Sequence, residues 1–552
     1  MIQKFKDDIL EAIKSNKYLI ITGGTGTGKS TQIPIFLHTL GKVLITQPRR
    51  VSAIALASRV SKLIGKFIAG YKVRFKSKHR ENTQIIYTTE GMLLNMLNHD
   101  PFLSDYQFII LDEFHERTIN MDLLLGIIKE LVKKRKNLRL IVMSATGDIE
   151  KLSDYLDYCP VYNIPGRTYQ IRNFYDKKIN KSVCKRVIET IEYIIKKYKT
   201  GDILVFLSGL DEIEECWSNI NNCDVLPLRL HSTICDPLVF TECNQRKVIF
   251  ATNIAETSLT IKSIGFVIDT GKVKVKYYDH NLDSEYLEIN WCSKDSCKQR
   301  AGRSGRTQDG YCYRLFTKEQ YNEMEQNIVP EILRSDLSGM ILKILKFEIE
   351  IDFIDKPNKM IVNSGMKKLE ELGLVSDGNI NDAGRFVSEL PLDPMLGKMV
   401  YEGMRHGVTD KMVVLVSMIC AEIDLSKVNK KKKNDFENLI EYFYESKKHK
   451  KKDSQLLLAN MIYLQISKIT KKYSFFKEQK DICNVIKESL ILNLCRKNGN
   501  IYNKLKGDSV IPLHKNPFSV VDDDDEFLVF YQLKGKEKTM IYLMGVTHSN
   551  CL

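Results

Sequence analysis

Short apolar runs punctuate the first third of the chain, at residues 18–21, 43–45, 85–87, 108–111 and 140–143, and helical stretches separate them. Runs of this length read as buried strands, and their alternation with helices is the cadence of a parallel α/β sheet. The cadence restarts after about residue 180, with strand candidates at 203–207, 248–250 and 266–268. A second α/β domain is therefore predicted. Each strand runs into a polar, motif-like segment, as expected where function lies at the carboxyl ends of parallel strands.

Farther on the pattern changes. Lys272, Lys274 and Lys276 alternate with Val273, Val275 and Tyr277, and Asp279-His280-Asn281 supplies turn chemistry before Tyr286-Leu287-Glu288-Ile289. This reads as a β-hairpin with one basic face. Residues 400–490 carry the apolar spacing of helices, around 412–416 and 456–461.

Composition bounds the class of protein. A chain of 552 residues is too long for one domain, and roughly three to five are expected. With 43% hydrophobic and 28% charged residues it has ordinary globular usage. No apolar stretch has the length and purity of a membrane span, and the N-terminus Met1-Ile2-Gln3-Lys4-Phe5-Lys6-Asp7-Asp8 is no signal peptide, so a soluble, intracellular protein is expected. The formal net charge of +14 points to a polyanionic partner, although a lysine-rich host proteome gives the same excess. Thirteen cysteines lie scattered without a C-x-x-C pair or partnering histidines, which indicates reduced thiols, mostly in cores, and neither a zinc site nor a disulfide framework.

The sharpest chemistry follows the first strand. Gly23-Gly24-Thr25-Gly26-Thr27-Gly28-Lys29-Ser30 fits G-x-x-x-x-G-K-[ST] between an apolar strand and a helix beginning near Lys29. Residues 24–31 (Gly24, Thr25, Gly26, Thr27, Gly28, Lys29, Ser30 and Thr31) are thus the candidate nucleotide cradle. Glycines let backbone N–H groups wrap a β-phosphate, the helix N-terminus adds a favourable dipole, Lys29 supplies a point charge, and Ser30 offers a hydroxyl to Mg²⁺. The strand at 108–111 presents Asp112 and Glu113 at its carboxyl end, where a P-loop fold keeps its metal and water chemistry. Asp112, Glu113 and Ser30 form the metal side, and Glu113 also orients the attacking water. ATP and Mg²⁺ are the expected cofactors.

Further segments, Thr46-Gln47-Pro48-Arg49-Arg50, Thr88-Thr89-Glu90-Gly91, Asp112-Glu113-Phe114-His115, Ser144-Ala145-Thr146, Thr252-Asn253-Ile254-Ala255-Glu256-Thr257-Ser258 and Gln299-Arg300-Ala301-Gly302-Arg303-Ser304-Gly305-Arg306, occur in the order of the DEAH-box helicases. The chain resembles that family from about residue 1 to its C-terminus, most of all the RNA helicases of pre-mRNA splicing and ribosome biogenesis. Pro330-Glu331-Ile332-Leu333-Arg334, Asp352-Phe353-Ile354-Asp355-Lys356-Pro357 and Leu390-Pro391-Leu392-Asp393-Pro394 continue the resemblance. The fold it implies is α/β: two tandem RecA-like P-loop domains at 1–165 and 166–325, then a winged-helix domain at 326–395, a helical ratchet-like bundle at 396–490 and an OB-like β domain at 491–552.

The resemblance also implies roles. Gln299, Arg303 and Arg306 look like γ-phosphate sensors of the second domain, with Arg303 or Arg306 as an arginine finger. His115 looks like a catalytic residue coupled to those sensors, Ser144 and Thr146 look like the segment that couples the ATP site to nucleic acid, and Arg59 and Phe240 occupy the positions that sandwich adenine. Gripping by stacking alone predicts weak nucleotide selectivity. Arg49, Arg50, Thr89, Thr252 and Asn253 match contacts to an RNA backbone, which position the strand and carry little sequence information. The activity implied is an ATP-dependent RNA helicase moving 3′ to 5′ on single-stranded RNA. The alternative is an RNA-stimulated NTPase that remodels ribonucleoprotein or clamps RNA, and a scaffold with a dead ATP site is disfavoured because every catalytic position keeps its chemistry.

A glycine-rich adaptor peptide is a partner that the resemblance brings with it, together with a monomeric state, no membrane partner, and a nucleus placed ahead of the cytoplasm. The basic hairpin is then either a strand-separating wedge or an edge hairpin kept soluble by lysines. Lys430 to Lys433 and the run 447–452 read as solvated faces, as a phosphate-contacting patch or as a localisation signal, and Asp522 to Asp525 as a loop tip. The sequence departs from the family at Phe114, in place of alanine and expected to crowd Glu113, at Ser304 in place of alanine, and at Gly24 in place of glutamate. It begins almost at the first strand, so no separate targeting arm is expected.

Overall fold

The computed structural model describes residues 2–547 apart from 25, 66, 167–168, 178–180, 221–223, 232–233, 235, 242, 257–260, 262, 282, 306–307, 450–452, 475–479, 500, 506–512, 522–525 and 535–538. It comprises two compact units: Met1–Val275 with Glu288–Glu331 and Asp352–Asp355, and Lys276–Leu287 with Ile332–Ile351 and Lys356–Leu552.

The apolar runs become central strands of the first unit. β1 (Tyr18–Thr22), β2 (Val43–Gln47), β3 (Ala69–Val73), β4 (Lys76–Lys78), β5 (Ile85–Thr89), β6 (Phe108–Leu111), β7 (Arg139–Ser144) and β8 (Val161–Asn163) form one sheet in the order β4-β3-β5-β2-β6-β7-β1-β8. All neighbours are parallel except β3 with β4. Every residue of β2 and β6 is buried, as helices on both faces of a parallel sheet require. A core of isoleucine, leucine and valine, from Ile9 and Leu19 to Ile141 and Ile164, fills one side.

A second parallel sheet follows, built from β9 (Ile171–Tyr175), β10 (Asp202–Phe206), β11 (Val225–Leu230), β12 (Arg246–Ala251) and β13 (Ile264–Asp269). The hairpin β14 (Lys272–Asp279) and β15 (Ser284–Trp291) then intervenes before the sixth strand, β16 (Gly310–Arg314). The order is β11-β12-β10-β13-β16-β9, parallel throughout. Separate apolar clusters cover its two faces.

In the second unit, helices Ser338–Phe347, Lys359–Glu371 and Asp382–Glu389 accompany a two-stranded wing, β17 (Val375–Ser376) against β18 (Asn379–Ile380). Helices Pro394–Arg405, Thr409–Cys420, Asp435–Lys448, Ser454–Thr470 and Ile482–Ser489 follow. Their starts are written locally: Asp393, Asn434, Asp453 and Asp481 each accept a backbone amide of the first turn, satisfying donors that the helix itself leaves open. Last come β19 (Leu494–Asn498), β20 (Ile501–Lys504), β21 (Leu513–Lys515), β22 (Phe527–Lys534) and β23 (Thr539–Thr547). These strands run β22-β19-β20-β21-β23, and β23 pairs back onto β22, closing a small barrel around Cys495, Leu528 and Phe530. Among the described residues no helix is long and apolar enough to cross a membrane.

Three lysines of the lysine-rich segments have partners within the chain. Lys431 and Lys432 pair with Glu445 and Glu441, and Lys447 lies 4.5 and 4.4 Å from the rings of Phe443 and Tyr463. Lys450 to Lys452 and Asp522 to Asp525 lie outside the described residues.

Candidate functional site

The loop between β1 and helix Lys29–Leu37 is shaped by glycines that other residues replace only with strain. Gly23, Gly26 and Gly28 have φ of 149°, 87° and 92°, and a Cβ on Gly23 would stand 2.6 Å from the Ile164 carbonyl oxygen. Thr25 lies outside the described residues. Thr27 and Thr31 turn their hydroxyls back onto the carbonyls of Gly24 (2.9 Å) and Gly28 (3.0 Å). Lys29 is buried and its ammonium donates to the carbonyls of Gly23 and Gly24. Burial lowers its pKa, with Glu113 and Asp112 opposing. The cation is thus held over the loop among acceptors that it can exchange for a phosphate.

Asp112 ends β6 and is buried to 1% exposure, with Gln47 donating to it at 2.5 Å and Ser30 also hydrogen-bonded to it. Its own backbone amide reaches the Thr46 hydroxyl at 3.2 Å, so β2 and the P-loop helix together fix this carboxylate. Burial and the neighbouring Glu113 push Asp112 up to about 6, while Ser30, Lys29 and Gln47 pull the other way. Burial also raises Glu113, against Lys29, Arg303 and Arg49. Ser30 and Asp112 offer hard oxygen donors side by side, a set that fits Mg²⁺.

Glu113 begins a tight turn. It has φ of 56°, the 3₁₀ segment Phe114–Glu116 follows, and Arg117 closes it at φ 46°. Left-handed backbone at two non-glycine residues costs of order 1–3 kcal/mol each and persists only where neighbours enforce it. His115 is buried, its Nδ1 facing the Ala145 amide (3.4 Å) and lying 3.6 Å from Glu113. Burial lowers its pKa, and its Nε2 has no hydrogen-bond partner among the described residues. The Phe114 ring is buried, with the Arg117 guanidinium 5.3 Å from its centroid. That separation is within cation–π range.

From the second sheet, helix Lys294–Ala301 approaches. Gln299 donates to the Thr146 hydroxyl at 3.1 Å, and the Ser144 hydroxyl donates to the Thr146 carbonyl. Asp295 accepts the Gly147 amide at 3.1 Å. Arg303, buried to 4%, acts electrostatically on Glu113. Arg306 lies outside the described residues, as do Thr257 and Ser258. The structure therefore brings together Lys29, Ser30, Asp112, Glu113, His115, Ser144, Thr146, Gln299 and Arg303. A cavity of about 140 Å³ is lined by His115, Ser144, Thr146 and Gln299 together with Phe114, Arg117, Asp295 and Asp355.

The remaining candidates are more dispersed. Arg49 donates to the Ile254 carbonyl at 2.7 Å, a link between the two sheets. Arg50 lies 5.3 Å from the Phe75 ring. Thr89 ends β5 half-buried, Thr252 is buried, and Asn253 is exposed. Arg59 is exposed on helix Arg50–Ile64, and Phe240 is 45% exposed beyond the 3₁₀ turn Pro237–Val239. In the hairpin, Lys272 lies 3.4 Å from the Trp291 ring, Lys274 pairs with Asp211 and Lys276 with Glu285. The basic face is already matched by protein groups.

Several site-shaping residues do not stand out in the sequence. Arg300 is fully buried, with Glu256 at 2.6 Å and Asp269 at 2.9 Å, and ties the loop after β12 to the end of β13. Gln47, Asp295 and Arg300 sit inside or beside the quoted motifs, yet their partners are distant in sequence. Cys292 and Cys297, with sulfurs 3.4 Å apart, flank the Ser293 cap as an N′ to N4 apolar contact at the start of the Gln299 helix.

Residues 3–155 match the family model for DEAD/DEAH box helicase. Two crystal structures from Escherichia coli share the fold. One, of the DEAH/RHA helicase HrpB, has a TM-score of 0.82 and 24% identity over 99% of this chain and 70% of that one. The other, of the DExH-box NTPase HrpB, has a TM-score of 0.83 and 24% identity over 100% of this chain and 68% of that one.

Proposed function

We propose, from the premise that residues 3–155 form a DEAD/DEAH box helicase domain, that the chain is an ATP-driven RNA helicase of the DEAH type. The observation that carries this reading is geometric: Gln299 and Asp295, on the helix that follows the second sheet's hairpin, hydrogen-bond to Thr146 and Gly147, in the segment that leaves the first sheet beside Glu113 and His115, each at 3.1 Å. A hydrolytic site that needs both domains turns domain closure into a requirement for turnover.

The roles follow from the side chains. Lys29 exchanges the loop carbonyls for the β- and γ-phosphates. Ser30 and Asp112 would hold Mg²⁺, which would supply neutralisation of phosphate charge. Glu113 orients the attacking water, and Arg303, with Arg306, stabilises charge on the transferred phosphoryl group. Gln299 and Thr146 connect that event to the segment after β7, and His115 lies against both Glu113 and the Ala145 amide of that segment.

RNA is the proposed track, held by Arg49, Arg50, Thr89, Thr252 and Asn253 at the carboxyl ends of strands, with 3′ to 5′ movement following from the resemblance. RNA processing, including splicing, is the proposed setting, and an adaptor peptide on the second unit the proposed activator. The matched lysines of the hairpin favour the second reading, a remodelling or clamping NTPase, because a wedge benefits from unmatched charge.

Duplexes with 3′ or 5′ single-stranded tails separate the two. ATP-dependent strand displacement confined to the 3′-tailed substrate supports the helicase. RNA-stimulated hydrolysis with neither duplex displaced supports the clamp.

A further inference from the structure

The segment Asp352-Phe353-Ile354-Asp355 has no role in the reading above, yet it returns to the first unit in the middle of the second. The chain leaves the first unit after Glu331, forms helix Ser338–Phe347 in the second, and re-enters at Asp352–Asp355. Both edges of that excursion are fastened beside the catalytic turn. On the outgoing side, the Glu331 amide donates to the Arg117 carbonyl at 3.0 Å, and the Ile119 amide donates to the Glu331 carboxylate at 3.1 Å. On the returning side, Arg117 donates to Asp355 at 2.6 Å, Lys151 to the other oxygen of Asp355 at 2.5 Å, and the Tyr155 hydroxyl to the Asp352 carbonyl at 2.5 Å.

Arg117 already has a carboxylate. Asp122, 1% exposed at its side chain, accepts from the guanidinium at 2.8 and 3.2 Å, a fork that matches the half-buried cation with one carboxylate. Asp355 is thus a second anion on a satisfied arginine, and it comes from the returning segment. Arg117 is also the left-handed residue that closes the turn opened by left-handed Glu113, with His115 between them. A pull on the excursion is delivered to one of the two left-handed residues that bound that turn.

We propose that Arg117 and Asp355 form a clamp by which the C-terminal part of the chain controls the position of Glu113 and His115, with Arg117 as a positioning residue. The inference rests on the ATPase reading. Closed, the clamp holds the turn in the geometry that responds to RNA. Open, it leaves ATP hydrolysis running at its RNA-free rate. Coupling between distant sites is typically worth 5- to 150-fold, which sets the size to look for.

The test is ATP hydrolysis by the full chain with and without single-stranded oligouridylate, for the parent, Asp355→Asn, Arg117→Lys and the double variant, each with its thermal melt. Asp355→Asn is expected to keep the RNA-free rate within about twofold and to lose about tenfold in RNA stimulation. The double variant is expected to lose no more stimulation than the worse single one, because both residues serve one contact. Stimulation retained in both single variants, or losses that multiply in the double, overturns the clamp. If Asp355→Asn melts early, Lys151→Ala, which removes only the exposed partner of Asp355, carries the same expectation at smaller size. A parent without ATPase activity refutes the ATPase reading instead, so the two failures are distinguishable.

Discussion

Glu90, at the head of helix Glu90–His99, is 6% exposed and accepts the Thr118 hydroxyl. Burial pushes its carboxyl up to about 7, against the pull of that hydrogen bond. Between its ordinary range and about 7 the folded chain keeps a proton that the unfolded chain has released, so this residue lowers stability as pH rises through that window. The penalty is absent below the ordinary carboxylate range, complete above about pH 7, and no more than about 3 kcal/mol. Glu90→Gln is therefore expected to raise Tm relative to the parent at about pH 8 and to change it little at about pH 4. An equal shift at both pH values contradicts this. Lys29, Ser30, Asp112 and Glu113 were legible because a contiguous motif fixes their offsets to a strand end. Glu90 lies in a quoted motif, but its burial against Thr118 depends on how two distant segments pack. The same is true of Arg300 with Glu256 and Asp269, whose pairing no local spacing encodes.

Among elements, the central strands announced themselves because burial on both faces demands continuous apolar runs. The strands that the pattern did not pick out include β4, β8, β9 and β11, the edges of the two large sheets. β4 and β9 carry largely exposed side chains, and β11 contains Pro227, which an edge tolerates because one row of its backbone donors faces no neighbour. The hairpin β14–β15 was legible from its alternation, but the pairing of its lysines with Asp211, Glu285 and the Trp291 ring was not. In the second unit, helix Asp382–Glu389 packs so closely that a Cβ on Gly384 would meet the Leu374 carbonyl oxygen at 2.2 Å. Gly384→Ala is expected to destabilise the chain by about 1–3 kcal/mol through overpacking, read as an earlier thermal or urea transition. An unchanged midpoint contradicts that packing.

At the scale of the whole molecule, the two tandem α/β domains were legible from one cadence played twice, and the excess of positive charge, +14, suits a polyanionic track. For single strands each phosphate neutralised contributes about 0.7 to the slope of log affinity against log salt. Arg50→Gln is accordingly expected to flatten that slope by about 0.7 in RNA-binding titrations, and an unchanged slope removes Arg50 from the interface. The central claim, that both domains build one RNA-responsive ATPase, is tested most directly by steady-state ATP hydrolysis with and without single-stranded RNA, for the parent, Lys29→Ala and Glu113→Gln. The account expects RNA to accelerate the parent and each substitution to reduce turnover by about 100-fold or more. Hydrolysis that ignores RNA, or that survives both substitutions, contradicts it.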